Sequence, residues 1–536
     1  MANDGQAEEG SVSGGGRQPA AGGGCPTALP ASDPPLSRRS VAAVFAGLLV
    51  AMTVGTLNQT IVATVLPTIV GELGGVNRML WVTTSYVLAA TVTMPLYGKM
   101  GDLIGRKGLF IGALALFVAG SAACALAPSM EGLVIGRAVQ GLGGGGLMVL
   151  SQAIVADVVP PRRRALYLSI MGVAYAVPML AGPLLGGFFA DAVGWRWAFW
   201  FDVPLALAAI VIAAVFLPKP RRTAERAPFD VGGAVTLVAA VTALTLATLW
   251  GGNEHAWTSP TIIGLLVATA VASALFVLAE RRAREPLMAL SLFKNRNFDI
   301  SIVASSITMF VMIGVLTYLP TYFQIVEGLA PEQAGLMTVP MMAGVLITAV
   351  GTGFLATKTG RYKWMPIASC AVTAVGFVLL SQLTVGTPLV VTGVFLFVLG
   401  FGIGLGQQIL VLIVQNEFPH AIVGTATAAN NFFRQIGSTL GASLVGALFT
   451  SRLTADLAAK LPHVDNINMN RITPDFVQHL DSGTRAIITS AYSDALVPIF
   501  LYVVPLLVVG FVLMLTLKEH PLATKVNHTG HPGDTV

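Results

Sequence analysis

The sequence predicts an all-α polytopic membrane protein, and three features of the chain lead to that prediction. Only 11% of the 536 residues are charged and 54% are hydrophobic, with a mean hydropathy of +0.76. Apolar runs of about 20 residues, the length that spans a bilayer, recur along most of the chain. Lysine and arginine collect in alternate connections between these runs, which is typical of membrane topology.

The composition argues against several other classes of protein. The formal net charge of +5 does not indicate nucleic-acid binding, because the basic residues lie in short clusters between apolar runs. Cys25, Cys124 and Cys370 lack paired spacing, so we expect neither a disulfide framework nor a metal site. The chain has no GxxxxGK[ST] phosphate-binding loop, which argues against an ATPase. We therefore expect neither an enzyme nor a cofactor.

Fourteen segments are long and apolar enough to be predicted as membrane spans. They cover residues 41–66, 79–98, 107–127, 131–156, 165–190, 197–217, 229–250, 260–280, 299–324, 333–356, 364–383, 388–413, 422–449 and 494–517. The Gly- and Ala-rich residues 1–37 are predicted to form a disordered tail, and residues 519–536 a second tail. Segment 450–493 is too polar to span, so it is predicted to lie outside the membrane, with amphipathic stretches at 451–461 and 474–492.

The bases between the spans set the predicted orientation. They are Arg38, Arg39, Lys99, Arg106, Lys107, Arg162, Arg163, Arg164, Lys219, Arg221, Arg222, Arg226, Arg281, Arg282, Arg284, Lys294, Arg296, Lys358, Arg361 and Lys363. By the positive-inside rule, these connections and both termini face the cytoplasm of an inner membrane.

An internal echo predicts a duplicated architecture. The stretch GKMGDLIGRK at 98–107 has a counterpart 255 positions later, in GFLATKTGRYK at 353–363. Two six-helix halves with an inserted pair of helices would explain this offset. The predicted domains are a first bundle at 38–222, two additional helices at 223–285, and a second bundle at 286–518.

Several segments together resemble the fourteen-helix drug:proton antiporter branch (EmrB/QacA-like) of the major facilitator superfamily. They are WVTTSYVL at 81–88, GKMGDLIGRK at 98–107, GRAVQGLGGGG at 136–146, AGPLLGG at 181–187, GWRWAFW at 194–200, YLPTYFQ at 318–324 and FFRQIGSTLG at 432–441. The resemblance covers nearly all of residues 41–517. It implies a major facilitator fold with two six-helix bundles plus two extra central helices, rocking about a central cavity.

The same resemblance implies a function and a set of partners. The expected function is proton-coupled efflux of lipophilic drugs or related amphiphiles, with a small lipophilic substrate, protons and membrane lipids as partners. We expect the chain to act as a monomer. Two alternatives remain open: a lipid or lipid-linked glycan exporter, which would need a lateral apolar opening, and a non-transporting membrane sensor.

A cytoplasmic gate is predicted around the 98–107 stretch, whose glycines permit a tight turn. Its residues are Gly98, Asp102, Gly105, Arg106 and Lys107, with Asp157 and Glu417 at cytoplasmic helix ends as partners of the bases. The alternative is an ordinary loop that only sets topology.

Two arginines lie within apolar spans. An uncompensated arginine there costs at least about 2.5–3.5 kcal/mol, so Arg137 is a functional candidate, with snorkelling from a helix end as the alternative. The resemblance implies a role for Arg137 in proton coupling. Arg434 is the second such residue and is also assigned to proton coupling, where it is expected either to hold a carboxylate or to face a polar cavity.

The first span departs from the pattern of the branch, which usually has an aspartate where LNQTIVATVLP has Asn58. An amide cannot bind and release a proton near neutral pH. Asp202 in the sixth span is therefore the first candidate for the proton carrier. The alternative is that Asp202 is solvated at the outer end of its helix or paired with Arg196.

Two further sets complete the candidate residues. The antiporter motif is Gly182, Pro183, Gly186 and Gly187, although glycines are also common in membrane helices generally. Pro178 stands where the family usually has another glycine. The expected lining of the substrate cavity is Asn58, Gln59, Gln140, Tyr322, Gln324 and Asn431.

Overall fold

A computed structural model describes residues 38–75, 78–218, 230–252, 254–460, 477 and 480–522. Within these ranges the secondary structure is helical, apart from one isolated bridge between Gly251 and His255. Several predictions lie outside the described residues. They are the tail at 1–37 with Cys25, the bases Lys219, Arg221, Arg222 and Arg226, the segment 461–476, and the tail beyond residue 522.

The first half of the chain forms seven helices among the described residues. They are α1 (Arg38–Leu73), α2 (Met79–Ile104), α3 (Arg106–Ala125), α4 (Met130–Val158), α5 (Pro161–Phe188), α6 (Trp197–Trp200) and α7 (Asp202–Phe216). A π-helical turn at Phe189–Val193 extends α5. Gly105 separates α2 from α3 with a φ of 93°, a conformation that a residue with a Cβ rarely adopts.

Two apolar helices, α8 (Val231–Trp250) and α9 (Pro260–Arg282), follow. Each begins at a side-chain cap: Asp230 accepts a hydrogen bond from the Gly233 amide, and Ser259 accepts one from the Ile262 amide. Only 11% of the most apolar stretch of α9 is buried, so most of the surface of this helix is available to lipid.

The second half contains nine helices among the described residues. They are α10 (Arg296–Leu316), α11 (Leu319–Ile325), α12 (Pro331–Leu336), α13 (Val339–Thr359), α14 (Trp364–Leu380), α15 (Leu389–Glu417), α16 (Val423–Lys460), α17 (Ser482–Tyr502) and α18 (Val504–Leu515). Helix α16 extends well past its predicted end at 449, into the segment predicted to lie outside the membrane.

Twelve helical stretches among the described residues are long and apolar enough to cross a membrane. They fall on twelve of the fourteen predicted spans. The other two predicted spans are also helical, but α14 has only 17 residues, and α16 carries buried polar residues that include Asn430 and Arg434. The all-α membrane fold is therefore confirmed, while the count of fourteen spans stays a prediction.

Glycines let α4 pack closely between two neighbours. A Cβ at Gly143 would overlap the backbone of α3 at Phe117, and one at Gly145 would overlap the Ala90 carbonyl of α2. Small residues permit this approach of backbones, which van der Waals contacts then stabilise. The packing fixes α4, and with it Arg137, deep between α2 and α3.

The two glycines of the internal repeat lie at corresponding contacts between the halves. Gly98 on α2 contacts α16 at Gly424, and Gly353 on α13 contacts α5 at Ser169. A Cβ at either position would overlap the opposite helix. The halves therefore meet tightly on the side of the molecule that carries the basic connections.

Candidate functional site

A buried polar network surrounds Arg137, whose relative exposure is 1%. Its Nη1 donates to Asn58 Oδ1 and to Gln140 Oε1, the latter at 2.5 Å, and its Nε donates to the Val82 carbonyl at 3.1 Å. The guanidinium Cζ lies 4.3 Å from the centroid of the Tyr86 ring, within cation–π range. The side chain therefore does not snorkel to a helix end.

Asp202 joins this network through Asn58. The carboxylate is fully buried, and Asn58 Nδ2 donates to its Oδ2 at 2.5 Å. Its other oxygen, Oδ1, has no hydrogen-bond partner in the part of the chain that the structure describes. Arg196 contacts Glu72 instead, so the alternative pairing of Asp202 with Arg196 is wrong for this structure. One amide thus links a buried cation to a buried carboxylate.

Local sequence explains why these groups meet. On α1, Val54, Asn58, Ile61 and Val65 recur at helical spacing and all are buried, which turns Asn58 toward the interior. Asp202 lies in the first turn of α7, where the helix dipole favours a negative group.

The far side of Gln140 continues the network, because its Nε2 donates to Ser121 Oγ on α3 at 2.6 Å.

A cavity of about 280 Å³ lies beside the network, between helices of both halves. Its polar and aromatic lining is Thr56, Gln59, Thr60, Tyr86, Tyr175, Gln407, Asn431, Arg434, Gln435 and Ser438. Tyr86 belongs to both features, since its ring covers Arg137 and also lines the cavity. A change around Arg137 can therefore reach the cavity through one side chain.

Methionines make up much of the remaining lining, and no sequence motif marked them. They are Met52, Met94, Met148, Met179, Met309, Met312, Met341 and Met342. Methionine side chains are flexible and polarizable, so a surface rich in them adapts to ligands of different shape. The only signal available beforehand was the total of 18 methionines in the chain.

The residues predicted to line the cavity separate into three groups. Gln59 and Asn431 line it, whereas Asn58 and Gln140 belong to the buried network behind it. Tyr322 and Gln324 lie on α11, outside this lining. The Tyr322 ring packs on Phe323 and Tyr492, and Gln324 donates to the Pro320 carbonyl at 3.3 Å.

Arg434 on α16 lines the cavity and is 4% exposed. Its Nη1 has no hydrogen-bond partner within the described ranges, and its Nη2 lies 3.9 Å from Met148 Sδ. Its Cζ is 5.9 Å from the centroid of the Tyr175 ring. Of the two outcomes expected for Arg434, the structure has the one in which it faces a polar cavity.

Asp102 holds the start of α16 from the opposite half. Its carboxylate accepts hydrogen bonds from the Gly424 amide at 3.1 Å, and from the Thr425 amide and hydroxyl at 2.7 and 2.8 Å. Arg106 Nη2 donates to the same carboxylate at 2.7 Å. The predicted gate residue Asp102 is thus a helix cap that acts between the two halves.

The predicted pairing of Arg106 with Asp157 is present. Arg106 Nη1 contacts the Asp157 carboxylate and also donates to the Ala153 carbonyl at 2.6 Å. His420 Nε2, from the connection before α16, lies 2.9 Å from Asp157 Oδ1.

Glu417 and Lys107 lie apart from these contacts. Glu417 accepts hydrogen bonds from Asn295 at 3.1 Å and Asn297 at 2.7 Å and lies 3.3 Å from His520, so its predicted pairing with the bases of the gate is wrong. The physical reason is that α15 ends against the start of α10 rather than against α2. Lys107 donates to carbonyls at the end of α7.

A second contact between the halves lies at the repeat counterpart of the gate. Arg162 Nε donates to the Thr357 carbonyl at 3.1 Å, and its Nη2 donates to the Lys358 carbonyl at 3.0 Å. The start of α5 is thereby bound to the end of α13.

The predicted antiporter motif packs α5 against α1. A Cβ at Gly182 would overlap Thr60, and one at Gly186 would overlap Thr64, whereas Gly187 has open space around it. Pro183 lies between them inside α5. Thr60 is also a cavity residue, so this close approach borders the cavity.

Comparison with known proteins agrees with this architecture. The sequence pattern described as Major Facilitator Superfamily matches residues 48–442. An uncharacterized MFS-type transporter of Mycobacterium tuberculosis is 41% identical over 499 residues, which cover 93% of this chain and 72% of that protein. The multidrug transporter protein MdtP of Bacillus subtilis is 33% identical over 450 residues, 83% of each chain.

A solved structure supports the fold alone. The proton:xylose symporter XylE superposes with a TM-score of 0.60 at 15% identity, over 90% of this chain and 98% of that one.

Proposed function

Because the chain belongs to the major facilitator superfamily, we propose that it is a proton-coupled antiporter that exports lipophilic drugs or related amphiphiles by alternating access. The observation that carries this proposal is the buried carboxylate of Asp202, which Asn58 connects to Arg137 beside the cavity. The name of the multidrug transporter MdtP, a relative at 33% identity, supports the same class of substrate.

The proton step in this proposal takes place at Asp202. Protonation removes the negative charge that Asn58 connects to Arg137, and an uncompensated charge in a low-dielectric interior is costly. The guanidinium and the Tyr86 ring above it would then rearrange. Since Tyr86 lines the cavity, substrate affinity would change with the protonation of Asp202.

The conformational step uses the contacts between the halves. In this proposal the side that carries the basic connections faces the cytoplasm, and it is closed while Asp102 contacts α16 and Arg162 contacts the end of α13. Export requires these contacts to break so that substrate enters from the cytoplasm, and to re-form when it leaves. We propose Gly98, Asp102, Gly105 and Arg106 as the gate, with Asp157 as the partner of Arg106.

The driving force is sufficient without ATP. A proton that moves down a potential of about 150 mV releases roughly 3.5 kcal/mol. Each tenfold step of a concentration gradient needs about 1.4 kcal/mol, so one proton supports a gradient of about several hundredfold. An inner-membrane location with cytoplasmic termini, and function as a monomer, belong to the same proposal.

The experiment is transport by purified protein in proteoliposomes with an imposed pH gradient. A panel of lipophilic dyes, antibiotics and labelled lipids is offered, with protein-free liposomes as the control. We expect accumulation of dyes or antibiotics only when the gradient is present. Equal rates with and without the gradient would contradict antiport, and transport of lipids alone would favour the lipid-exporter alternative.

A further inference from the structure

The cavity contains a buried positive charge without a matching negative one. Among the described residues that line it, Arg434 is the charged side chain, and no lining residue is Asp or Glu. Among the described residues, the titratable group that interacts with Arg434 is Tyr175, which accepts a side-chain hydrogen bond from the guanidinium as a phenol and not as a carboxylate. This arrangement differs from Arg137, whose guanidinium is enclosed by acceptors.

The unpartnered atom belongs to a residue that lines the cavity. Arg434 is 4% exposed, and its Nη1 is buried without a hydrogen-bond acceptor among the described residues. A charged N–H donor withdrawn from water and left unpaired is costly, and an acceptor on a ligand would satisfy it. Arginine binds planar oxyanions such as carboxylates with particular strength, because its donors form a fixed fork.

The surroundings of Arg434 on α16 form a polar stripe along one helix of the cavity lining. Asn431, Arg434, Gln435 and Ser438 follow one another at helical spacing on α16, and all four line the cavity. Asn431 Oδ1 is also without a hydrogen-bond partner among the described residues. The rest of the lining is rich in methionine, so the cavity combines a cationic group with an adaptable apolar surface.

We propose that this cavity selects amphipathic organic anions, whose acidic group binds Arg434 while the apolar body contacts the methionines. The inference rests on the proposed export function and narrows its substrate class. A neutral or cationic amphiphile of the same shape leaves Nη1 unpaired and therefore binds more weakly.

The test compares two probes that differ by one acidic group. They are 1-anilinonaphthalene-8-sulfonate and the uncharged N-phenyl-1-naphthylamine, measured by equilibrium dialysis against protein in lipid nanodiscs, with empty nanodiscs subtracted. No pH gradient is applied, so binding is measured independently of proton coupling. We expect the wild-type protein to bind the sulfonate at least about tenfold more tightly than the uncharged probe.

Substitution of the arginine should remove this preference. Arg434→Gln is expected to weaken sulfonate binding about 10- to 100-fold and to change binding of the uncharged probe by less than about threefold. Arg434→Lys keeps the charge, should retain most of the preference, and remains informative if the glutamine variant does not fold.

Two results would overturn the inference. One is equal affinity of the wild-type protein for the two probes. The other is that Arg434→Gln and Arg434→Lys each weaken binding of the sulfonate and of the uncharged probe by the same factor. Sulfonate binding that depends on Arg434, together with transport that ignores a pH gradient, would refute the proposed antiport and leave the anion site standing.

Discussion

The two buried arginines of this chain have opposite surroundings. Arg137 in the first half donates to Asn58, Gln140 and a backbone carbonyl. Asn58 in turn donates a hydrogen bond to the Asp202 carboxylate. Arg434 in the second half lines the cavity and is also withdrawn from water, yet one of its donor atoms has no acceptor among the residues that the structure describes.

The difference separates two uses of a charge inside a membrane protein. When the protein itself supplies the partners of a buried cation, protonation of one partner changes the interactions of that cation. This is the arrangement that a proton switch needs. A buried cation with an unpaired donor can instead bind a ligand that supplies the missing acceptor. We therefore propose coupling for Arg137 and substrate recognition for Arg434, instead of coupling for both as the sequence alone predicted.

The largest expected effect is on transport by Arg137→Ala. Loss of several buried charge-assisted hydrogen bonds, each worth about 1.5–3 kcal/mol, should reduce transport driven by a pH gradient by at least about 100-fold. The measurement is dye accumulation in proteoliposomes, with monodispersity on size exclusion as the check on folding. Arg434→Lys is the matched control and should transport measurably. Normal gradient-driven efflux by Arg137→Ala would refute its role in coupling.

The second prediction concerns the pH dependence of transport. Asp202→Asn keeps the shape of the side chain but cannot titrate, so the transport rate should vary by less than about twofold over two pH units. Asp191 is an exposed aspartate in the same half, so Asp191→Asn is the control. Its transport rate should vary with pH as that of the wild-type protein does. An unchanged pH profile in Asp202→Asn would mean that another carboxylate carries the proton.

A swap of the two linked groups gives a smaller and more specific effect. Sequence alone predicts that Asn58→Asp is tolerated, because it restores the usual family residue. In the structure that change sets two carboxylates 2.5 Å apart, and like charges at that distance are unfavourable. We expect Asn58→Asp to lose about tenfold in rate and the double variant Asn58→Asp/Asp202→Asn to recover part of it. A double variant no better than the single one would contradict this coupling.

The smallest expected effect is on thermal stability and compares the arginines directly. Arg137→Met leaves Asn58 and Gln140 without their donor and should cost about 1–3 kcal/mol, lowering the unfolding midpoint by several degrees. Arg434→Met removes a charge that the protein does not compensate, so the midpoint should stay unchanged or rise. Thermal unfolding of both variants in one detergent decides it. An equal drop of the unfolding midpoint in both variants would contradict the view that the protein compensates the charge of Arg137 and not that of Arg434.

Sequence predicted the helices well and their polar contacts only in part. Apolar length is a local property, so twelve of the predicted spans coincide with apolar helices. Helix α16 was harder to delimit, because the polar residues that serve the cavity lower its apolar content. Arg106 and Asp157 were matched correctly, since both lie near helix ends that the basic connections place on the same side of the membrane.

The rest depends on packing between distant parts of the chain. Asn58 and Asp202 are 144 positions apart, and only the packing of α1 against α7 brings them together. Glu417 was misplaced for the same reason, because helix ends on one side of a membrane do not reveal which neighbour they meet. The methionines of the cavity carry no motif, and their common position follows from eight helices meeting around one space.

The contact between Asp102 and α16 couples opening of the proposed gate to hydration of the groups that form it. While the halves are closed, the carboxylate satisfies two backbone amides at the start of a helix, and such a cap stabilises a helix by about 1 kcal/mol. When the halves separate, water must hydrate those amides, the threonine hydroxyl and the carboxylate. In the proposed transport cycle, opening of this side therefore takes up solvent, and its equilibrium should respond to osmotic stress: excluded solutes that lower water activity favour the closed state.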